Sequence, residues 1–503
     1  MAFDAGKAGA GNDADFPILI VGTGFAGMGM AIALKKAGIE NFTILERAQS
    51  VGGTWRDNNY PGCACDVQSH LYSFSFEQNP DWSRMFAQQP EIKAYLEGVA
   101  VKYALLPHIH FGAEVVNARY DEARQLWQVT SKDGRQFTAR VLVSGMGGLS
   151  TPAYPDVPGI GNFQGKTFHS AQWDHGYDLK GKRVAVIGTG ASAIQFVPQI
   201  QQQVAQLDLY QRTPPWIMPK PDRAIGEKER ALYRRFPVLQ RAFRSVLYWM
   251  LESRVLGFVV NPRIMKLAEN VARRHIKHHV KDPVLRKKLT PDFTFGCKRV
   301  LISDDYYPAL TQPNVDVITT GIREVRAHSV ITSDGVERPV DCIIYGTGFK
   351  AQEPLPRGAI FGRGGQDILD AWKEGAEAYK GTTIAGFPNL FMIVGPNTGL
   401  GHNSMVYMIE SQVAYILDAV RQMRARRWTA VDVKPQRQAS YNQAIQAKLQ
   451  RSIWTAGGCK SWYLNDNGKN TTLWPGFTFK FRQEVARFDA ADYQIDTLAV
   501  AAK

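Results

Sequence analysis

The sequence predicts an α/β protein with two Rossmann-like dinucleotide-binding domains and a helical insert. Three observations predict this fold. A strand, a glycine-rich turn, a helix and a second strand follow one another near residue 16, and the same succession returns near residue 182. Between them and the C-terminal part, residues 217–295 contain little glycine, and Arg, Lys, Leu and aromatic residues recur there at helical spacing.

The composition limits the class of protein. The 503 residues are 45% hydrophobic and 21% charged, which is typical of a globular chain and excludes a disordered or collagen-like one. A formal net charge of +14 favours anionic partners such as phosphate-bearing cofactors, nucleic acid or a membrane surface. The five cysteines are widely spaced and predict no disulfide framework. Cys63-x-Cys65 has no second pair to complete a zinc site, so we expect no metal.

The first glycine motif is GTGFAG at 22–27, after the apolar strand 16–21. Gly22 permits a tight turn, Gly24 lets a pyrophosphate approach the backbone, and Gly27 lets the helix pack on the strand. The helix runs to Lys36 and a strand follows at 41–46. Its last residue, Glu46, stands where an acid accepts a hydrogen bond from a ribose hydroxyl.

The second motif is GTGASA at 188–193, after the strand 182–188. Its predicted cofactor-binding residues are Gly188, Thr189, Gly190 and Ala193. Arg212 lies 24 residues after Gly188, as Glu46 does after Gly22, and Arg212 with Thr213 suits a 2′-phosphate. We interpret the repeat as an FAD site followed by an NADPH site; the alternative is one functional site and one decayed copy. Two such sites imply hydride transfer between cofactors.

The segment after the second strand excludes one class of flavoprotein. In disulfide reductases, which share the two-dinucleotide plan, GGT is followed by a redox cysteine and a second cysteine five positions later. Here those positions are Trp55 and Tyr60. Thiol–disulfide exchange through this motif is therefore excluded.

Two long motifs resemble those of type I Baeyer–Villiger monooxygenases. GGTWRDNNYPGCACD at 52–66 resembles one fingerprint, and FQGKTFHSAQWD at 163–174 resembles another. Weaker similarities extend along the chain and comprise GCKRVLISDDYY (296–307), DCIIYGTGF (341–349), GPNTGLGHNS (395–404) and SWYLNDNGK (461–469). The chain departs from the family at Ala193, where glycine is usual, and matches it poorly around 351–380 and beyond Gly476.

The resemblance implies an activity and its site residues. Members reduce FAD with NADPH, form a flavin peroxide with O2, and oxidise a ketone to an ester or lactone. Arg299 is implied as the anion stabiliser and Asp66 as its partner. The further residues implied for cofactor binding are Gly53, Thr54, Trp55, Tyr72, Val115, Lys298 and Trp462, with Lys298 sharing the 2′-phosphate. His169 and Trp173 are implied as interdomain linker residues, and Leu400, His402, Met405 and Trp462 as residues near the substrate.

The motifs also predict the domain organisation. We expect a disordered tail at 1–14, an FAD domain formed by 15–150 and 385–503, an NADPH domain formed by 151–216 and 296–384, and a helical insert at 217–295. Pro-rich stretches at 151–159 and 214–221 mark the crossings between them. The N-terminal tail lacks the apolar core of a signal peptide, which with the sparse cysteines predicts a cytoplasmic protein.

Other functions stay open at this stage. A flavin monooxygenase that oxidises sulfur or nitrogen, and an NADPH oxidase, share the two-dinucleotide plan. A basic adaptor for nucleic acid or membranes fits the charge, but no nucleic-acid-reading motif is present. The apolar run 16–34 is interrupted by glycines and predicts no membrane span, whereas 242–260 predicts an amphipathic helix that could contact a membrane surface. The motifs do not distinguish linear, cyclic, aromatic and steroidal ketones or an oligomeric state.

Overall fold

A computed structural model describes residues 16–149, 151–350, 356–459 and 461–497. The predicted tail at 1–14 lies outside these residues. The strands are β1 (Ile18–Val21), β2 (Phe42–Leu45), β3 (Ile109–His110), β4 (Val115–Asp121), β5 (Leu126–Ser131), β6 (Gln136–Ala139), β7 (Val141–Ser144), β8 (Lys166–His169), β9 (Arg183–Ile187), β10 (Gln206–Tyr210), β11 (Ile217–Met218), β12 (Leu301–Ile302), β13 (Val315–Ile318), β14 (Ile322–Val325), β15 (Ser329–Thr332), β16 (Glu337–Pro339), β17 (Cys342–Tyr345), β18 (Ile360–Phe361), β19 (Leu390–Met392), β20 (Trp428–Val433) and β21 (Tyr493–Thr497).

The α-helices follow the glycine turns, form the insert and complete the C-terminal part. They are α1 (Phe25–Lys36), α2 (Thr54–Asp57), α3 (Gln89–Lys102), α4 (Ala193–Gln201), α5 (Glu227–Arg235), α6 (Pro237–Glu252), α7 (Met265–His279), α8 (Pro283–Leu289), α9 (Tyr306–Leu310), α10 (Ile368–Ala371), α11 (Met405–Arg426), α12 (Pro435–Leu449), α13 (Ile453–Ala456) and α14 (Thr478–Glu484).

Two parallel five-stranded sheets form the two predicted Rossmann-like domains. The first has the order β19-β7-β1-β2-β3 and the second has the order β13-β10-β9-β17-β8. In each sheet the strand before a glycine motif lies between two other strands, and its apolar residues are buried on both faces, as is usual where layers cover both sides of a parallel sheet. The carboxyl ends of β1 and β9 therefore carry the two glycine turns, as the repeat predicts.

The boundary predicted at residue 384 is wrong for the segment 356–384. Strand β18 pairs in parallel with β4 through Ile360 and Ala118, at the edge of the mixed four-stranded sheet that belongs to the first domain. Ile368 and Trp372 are buried in the same apolar core as β4 and β5. The chain therefore returns to the first domain before β19. The sequence did not show this return, because the segment is only weakly similar to known motifs.

The helical insert is attached to the first domain through buried charged groups. The guanidinium of Arg244 on α6 donates hydrogen bonds to the carbonyl oxygens of His70, Leu71 and Ser73, at 2.8, 3.1 and 3.0 Å. Glu252 at the end of α6 is fully buried and accepts hydrogen bonds from Asn403 and Thr478. Buried charges with these partners fix the position of the helix, because losing one partner leaves the other unsatisfied.

Candidate active site

The first glycine turn is closely packed where the motif requires glycine. Gly22 has φ +100°, and a Cβ atom on Gly27 would lie 1.9 Å from the carbonyl oxygen of Gly22. Beside Gly24, by contrast, a Cβ atom would meet nothing closer than 3.7 Å. Helix α1 begins at Phe25 with no side chain capping its N–H groups. An anionic group can therefore approach these N–H groups, as at dinucleotide sites.

Glu46 lies at the same turn, directly after β2, and is buried. Its carboxylate accepts hydrogen bonds from the backbone N–H of Thr23 at 3.1 Å and from the Thr23 hydroxyl at 2.5 Å. It also contacts the backbone N–H of Ala48 at 2.9 Å and the guanidinium of Arg56 at 2.8 Å. The carboxylate therefore lies at the carboxyl end of β2, where the motif predicts an acid.

The GGTW segment packs directly against the first turn. A Cβ atom on Gly53 would lie 2.9 Å from the Cα of Gly24, so the two backbones are in contact. Thr54 begins α2, and the buried Trp55 donates its indole N–H to the hydroxyl of Tyr72 at 3.2 Å. Four predicted residues, Gly53, Thr54, Trp55 and Tyr72, are therefore brought together with the first turn.

Val115 begins β4 and is half-buried. Two residues earlier, the backbone N–H of Ala113 donates to the carbonyl oxygen of Glu46 at 2.8 Å. The chain before β4 is thus tied to the first turn. The family resemblance implies only the backbone of Val115 in cofactor binding. The hydrogen bond between Ala113 and Glu46 places that backbone near the first turn, in agreement with this expectation.

Arg299 and Asp66 form an ion pair, 233 residues apart in sequence, with Nη2 of Arg299 donating to Oδ2 of Asp66. The side chain of Arg299 is 39% exposed and that of Asp66 is 32% exposed. Burial opposes ionisation of Asp66, but the charge and hydrogen bond of Arg299 outweigh it and hold the pKa of Asp66 below its usual value. Asp66 in turn raises the pKa of Arg299. The site therefore contains a permanently charged guanidinium of fixed orientation.

Tyr463 is a site residue that the motifs did not single out. It is buried beside the Arg299–Asp66 pair, and burial raises the pKa of its hydroxyl to about 12 although the charge of Arg299 opposes this. Its ring lies 4.6 Å from that of Trp462, which is 46% exposed. Both residues belong to the SWYLNDNGK segment, so the position of Tyr463 directly after Trp462 was the sequence signal that could have identified it.

A disulfide joins the Arg299 segment to the Trp462 loop. Cys297 and Cys459 are bonded, with Cα atoms 6.2 Å apart and a sequence separation of 162. The expectation of no disulfide framework is therefore wrong for this pair, because cysteine spacing does not show which distant loops meet. Cys63, Cys65 and Cys342 are buried and free. Burial raises the pKa of the Cys63 thiol to about 12, so it is a poor nucleophile at neutral pH.

The second glycine turn has the same tight start as the first, but its helix begins two residues later along the motif. Gly188 has φ +107°, and a Cβ atom there would lie 2.4 Å from the carbonyl oxygen of Gly346. The hydroxyl of Thr189 donates to the carbonyl oxygen of Thr213 at 3.2 Å. The space beside Gly190 is open to 3.9 Å, and Ala193 begins α4, whose N-terminal N–H groups have no side-chain cap. A second dinucleotide fits this turn as the first fits its own.

Two cations, Lys298 and Arg212, lie near enough beyond this turn for the charge of one to act on the other. Burial lowers the pKa of Lys298, and the positive charge of Arg212 lowers it further. The Lys298 ammonium lies 4.7 Å from the ring centroid of Phe293. Since neighbouring like charges are unfavourable unless an anion joins them, their proximity supports the predicted 2′-phosphate site.

His169 lies at the interdomain crossings. It ends β8 and is fully buried, with rings of Tyr154 and Phe349 at 5.5 and 5.7 Å. Its Nδ1 accepts from the N–H of Ala171 at 3.1 Å, and burial lowers its pKa, so the ring is neutral at neutral pH. Trp173 packs against Phe168 and Phe196 of the second domain at 5.0 and 5.2 Å. These contacts fit the predicted linker role.

The residues predicted near the substrate fall into two groups. Leu400 and Met405 are half-buried at the edge of the main core, on either side of His402. His402 is buried, with Nε2 3.7 Å from a carboxylate oxygen of Glu252 on the insert. This loop is thus held by α6, whereas Trp462 is held by the disulfide-linked loop.

Comparison with known proteins assigns this site to a family. The profile of the flavin-binding monooxygenase-like family matches residues 17–361. A Baeyer–Villiger monooxygenase of Pseudomonas aeruginosa is 60% identical over 96% of this chain and 92% of its own length. The chain belongs to the Baeyer–Villiger monooxygenases, within the flavin-binding monooxygenase-like family. A closed crystal structure of cyclohexanone monooxygenase superimposes with a TM-score of 0.84 at 28% identity, covering 96% of this chain and 99% of the other.

A second solved structure, OTEMO in complex with FAD and NADP, also has a TM-score of 0.84 at 28% identity and covers 95% of this chain and 99% of that one. Membership of the Baeyer–Villiger monooxygenases confirms the resemblance that the two fingerprints predict. It also makes the chain an oxidoreductase. Within the described residues, no helix is long and apolar enough to cross a membrane.

Proposed function

We propose that this Baeyer–Villiger monooxygenase converts a ketone, O2, NADPH and a proton into an ester or lactone, water and NADP+. FAD would be held at the first turn, by the N-terminus of α1, Glu46 and the GGTW segment. NADPH would be held at the second turn, with Arg212, Thr213 and Lys298 on its 2′-phosphate. The residues present fit both groups, since both turns leave open space beside the middle glycine.

The Arg299–Asp66 pair is the observation that carries the proposal. When bound, the flavin supplies the activated oxygen that is inserted beside the ketone carbonyl. That reaction places negative charge on oxygen, and a fixed guanidinium stabilises such charge without reorganising. Asp66 orients Arg299 and keeps its pKa high, so the guanidinium stays charged at every working pH. The buried Tyr463 lies beside this pair and covers part of it.

The decisive experiment measures products from the purified flavoprotein. We expect NADPH consumption in air to be accelerated by at least one ketone of a panel of linear, cyclic, aromatic and steroidal ketones. Ester or lactone should appear in equal amount to the NADPH consumed. Oxidation of thioethers or amines with no ketone oxidised would instead support the heteroatom monooxygenase, and hydrogen peroxide as the only product would support an NADPH oxidase.

The choice of nicotinamide cofactor should depend on Arg212 and Lys298. In the double variant Arg212→Ala/Lys298→Ala we expect the KM for NADPH to rise about a hundredfold, because two charge-assisted contacts to a phosphate are lost. The KM for NADH should change little, since NADH lacks that phosphate. Steady-state kinetics with both cofactors would check this, with Lys180→Ala, an exposed lysine of the same domain, as the matched control. Equal losses with NADH and NADPH would contradict the assignment.

A further inference from the structure

The helical insert exposes an unusual amount of apolar surface. Thirteen of the twenty large hydrophobic side chains exposed among the described residues lie within 217–295. On α6 they are Val238, Leu239, Val246, Trp249 and Met250. At 3.6 residues per turn these five fall within an arc of about 120°, opposite the buried side of the helix. Helix α6 is therefore apolar on its outer face as well as on its inner face.

This outer face, the five side chains of α6 just named, is a fixed feature of the insert. The inner face is held by two buried charges. Arg244 donates hydrogen bonds to the 70–73 segment, and Glu252 accepts them from Asn403 and Thr478. The helix cannot rotate to bury Val246 and Trp249, which are 62% and 58% exposed, without breaking those bonds. Exposed apolar patches that persist in this way mark interaction sites.

The apolar face lies in strongly cationic surroundings. Residues 217–295 contain 18 Lys and Arg against 7 Asp and Glu, a net charge of +11 out of +14 for the chain. Between 230 and 281 the only acids are Glu252, which is buried, and Glu269, which pairs with Arg273. Five exposed cations form no ion pair with any residue that the structure describes: Arg235, Arg241, Arg263, Lys266 and Arg274.

The next helix presents the same combination. Ile264, directly before α7, and Leu267 and Val271 in its first half are exposed at a spacing of three and four residues. Lys266 and Arg274 flank them. Apolar side chains between unpaired cations thus continue beyond α6.

We propose that the outer face of the insert docks on the surface of an anionic phospholipid membrane. An amphipathic helix with aromatic and aliphatic residues on one side and basic residues around them lies in the headgroup region of such a membrane. Trp249 is of the type enriched at this interface, and each Lys or Arg near the surface adds attraction to anionic lipid. Attachment would be peripheral, since no described helix is long and apolar enough to cross a bilayer.

Charge selects this partner over two others. A second copy of the chain would bring one cationic face against another, which is repulsive. Nucleic acid would satisfy the cations but would leave Val246, Trp249 and Leu267 against water. Of these three partners, the anionic bilayer is the one that satisfies both the charge and the apolar area. The inference is independent of the reaction proposed above.

Vesicle flotation of the full-length FAD-containing enzyme tests the proposal. We expect binding to vesicles of phosphatidylcholine mixed with phosphatidylglycerol, and weaker binding to phosphatidylcholine alone. The triple variant Leu239→Ser/Val246→Ser/Trp249→Ser should lower the partition coefficient by about a hundredfold, because three apolar side chains no longer enter the interface. Arg241→Gln/Lys266→Gln should lower it by about tenfold on anionic vesicles only.

The matched control is Val101→Ser/Val336→Ser, which removes two exposed apolar side chains outside the insert and should leave binding unchanged. NADPH consumption without vesicles should be the same in all variants and would show that they are folded. No flotation of the wild type, or equal flotation of wild type and triple variant, would overturn the proposal. A wild-type dimer that the triple variant dissociates, or DNA binding without vesicle binding, would overturn it in favour of the other partner.

Discussion

Arg299→Ala is expected to lower the rate of ester or lactone formation by about a hundredfold to a thousandfold, the usual cost of removing one preorganised donor to a developing oxyanion. The flavin should stay bound, because the first glycine turn and the GGTW segment lie on other parts of the chain. NADPH should still be consumed, with oxygen recovered as hydrogen peroxide. Product analysis with flavin absorbance and peroxide detection would check all three results.

Two further variants separate the role of charge from that of geometry. Arg299→Lys keeps the positive charge but cannot both donate to Asp66 and present a second N–H in a fixed plane, so we expect it to recover only a small part of the activity. Arg323→Ala removes an exposed arginine of the second domain and should have no effect. Full activity in Arg299→Ala would show that another group stabilises the oxyanion.

Loss of the Cys297–Cys459 disulfide should have the largest effect on stability. In the chain-entropy description, a crosslink across a separation of 162 residues stabilises the folded state by about 5 kcal/mol. We expect reduction, or the double variant Cys297→Ala/Cys459→Ala, to move the denaturation midpoint to markedly lower urea concentration. Since the bond adjoins Lys298 and Arg299, the KM for NADPH should rise as well.

The control for this experiment is Cys342→Ala, which changes a buried free cysteine of the second sheet. It should remain sensitive to reductant, whereas the double variant should not. Identical midpoints for oxidised and reduced wild type would contradict the prediction. A disulfide that stabilises the protein would argue against the predicted cytoplasmic location, because stable disulfides are rare in that compartment.

Local motifs predicted where the two glycine turns, Glu46 and Trp55 lie in the fold, because these features are formed by residues close together in sequence. The two glycine turns, Glu46 and Trp55 act within a few residues of the strands that position them, and the structure places them as the spacing indicates. The meeting of Arg299 with Asp66 followed from family resemblance alone. Contacts between residues far apart in sequence had no motif to indicate them. The Cys297–Cys459 bond, the return of β18 to the first domain and the burial of Tyr463 depend on which distant segments pack together.

The insert is a second case in which local sequence patterns did not show how distant segments pack. Helical spacing over 242–260 predicted an amphipathic helix, and the structure has α6 at Pro237–Glu252 followed by a separate helical turn at Leu256–Val260. The pattern indicated that one side is apolar. It could not show that both sides are, because burial of the inner side depends on partners such as His70 and Asn403 that lie far away in sequence.

The two buried charges of α6 restrict how this protein can be recombined with its relatives. Arg244 and Glu252 satisfy their hydrogen bonds on segments outside the insert, near Tyr72 and beside His402. A chimera that exchanged residues 217–295 alone would leave those carbonyls, amides and hydroxyls facing unmatched partners. Residues 70–73, 400–404 and 478 would have to be exchanged together with the insert. The smallest part of this protein that can be exchanged therefore consists of several separate segments of the chain.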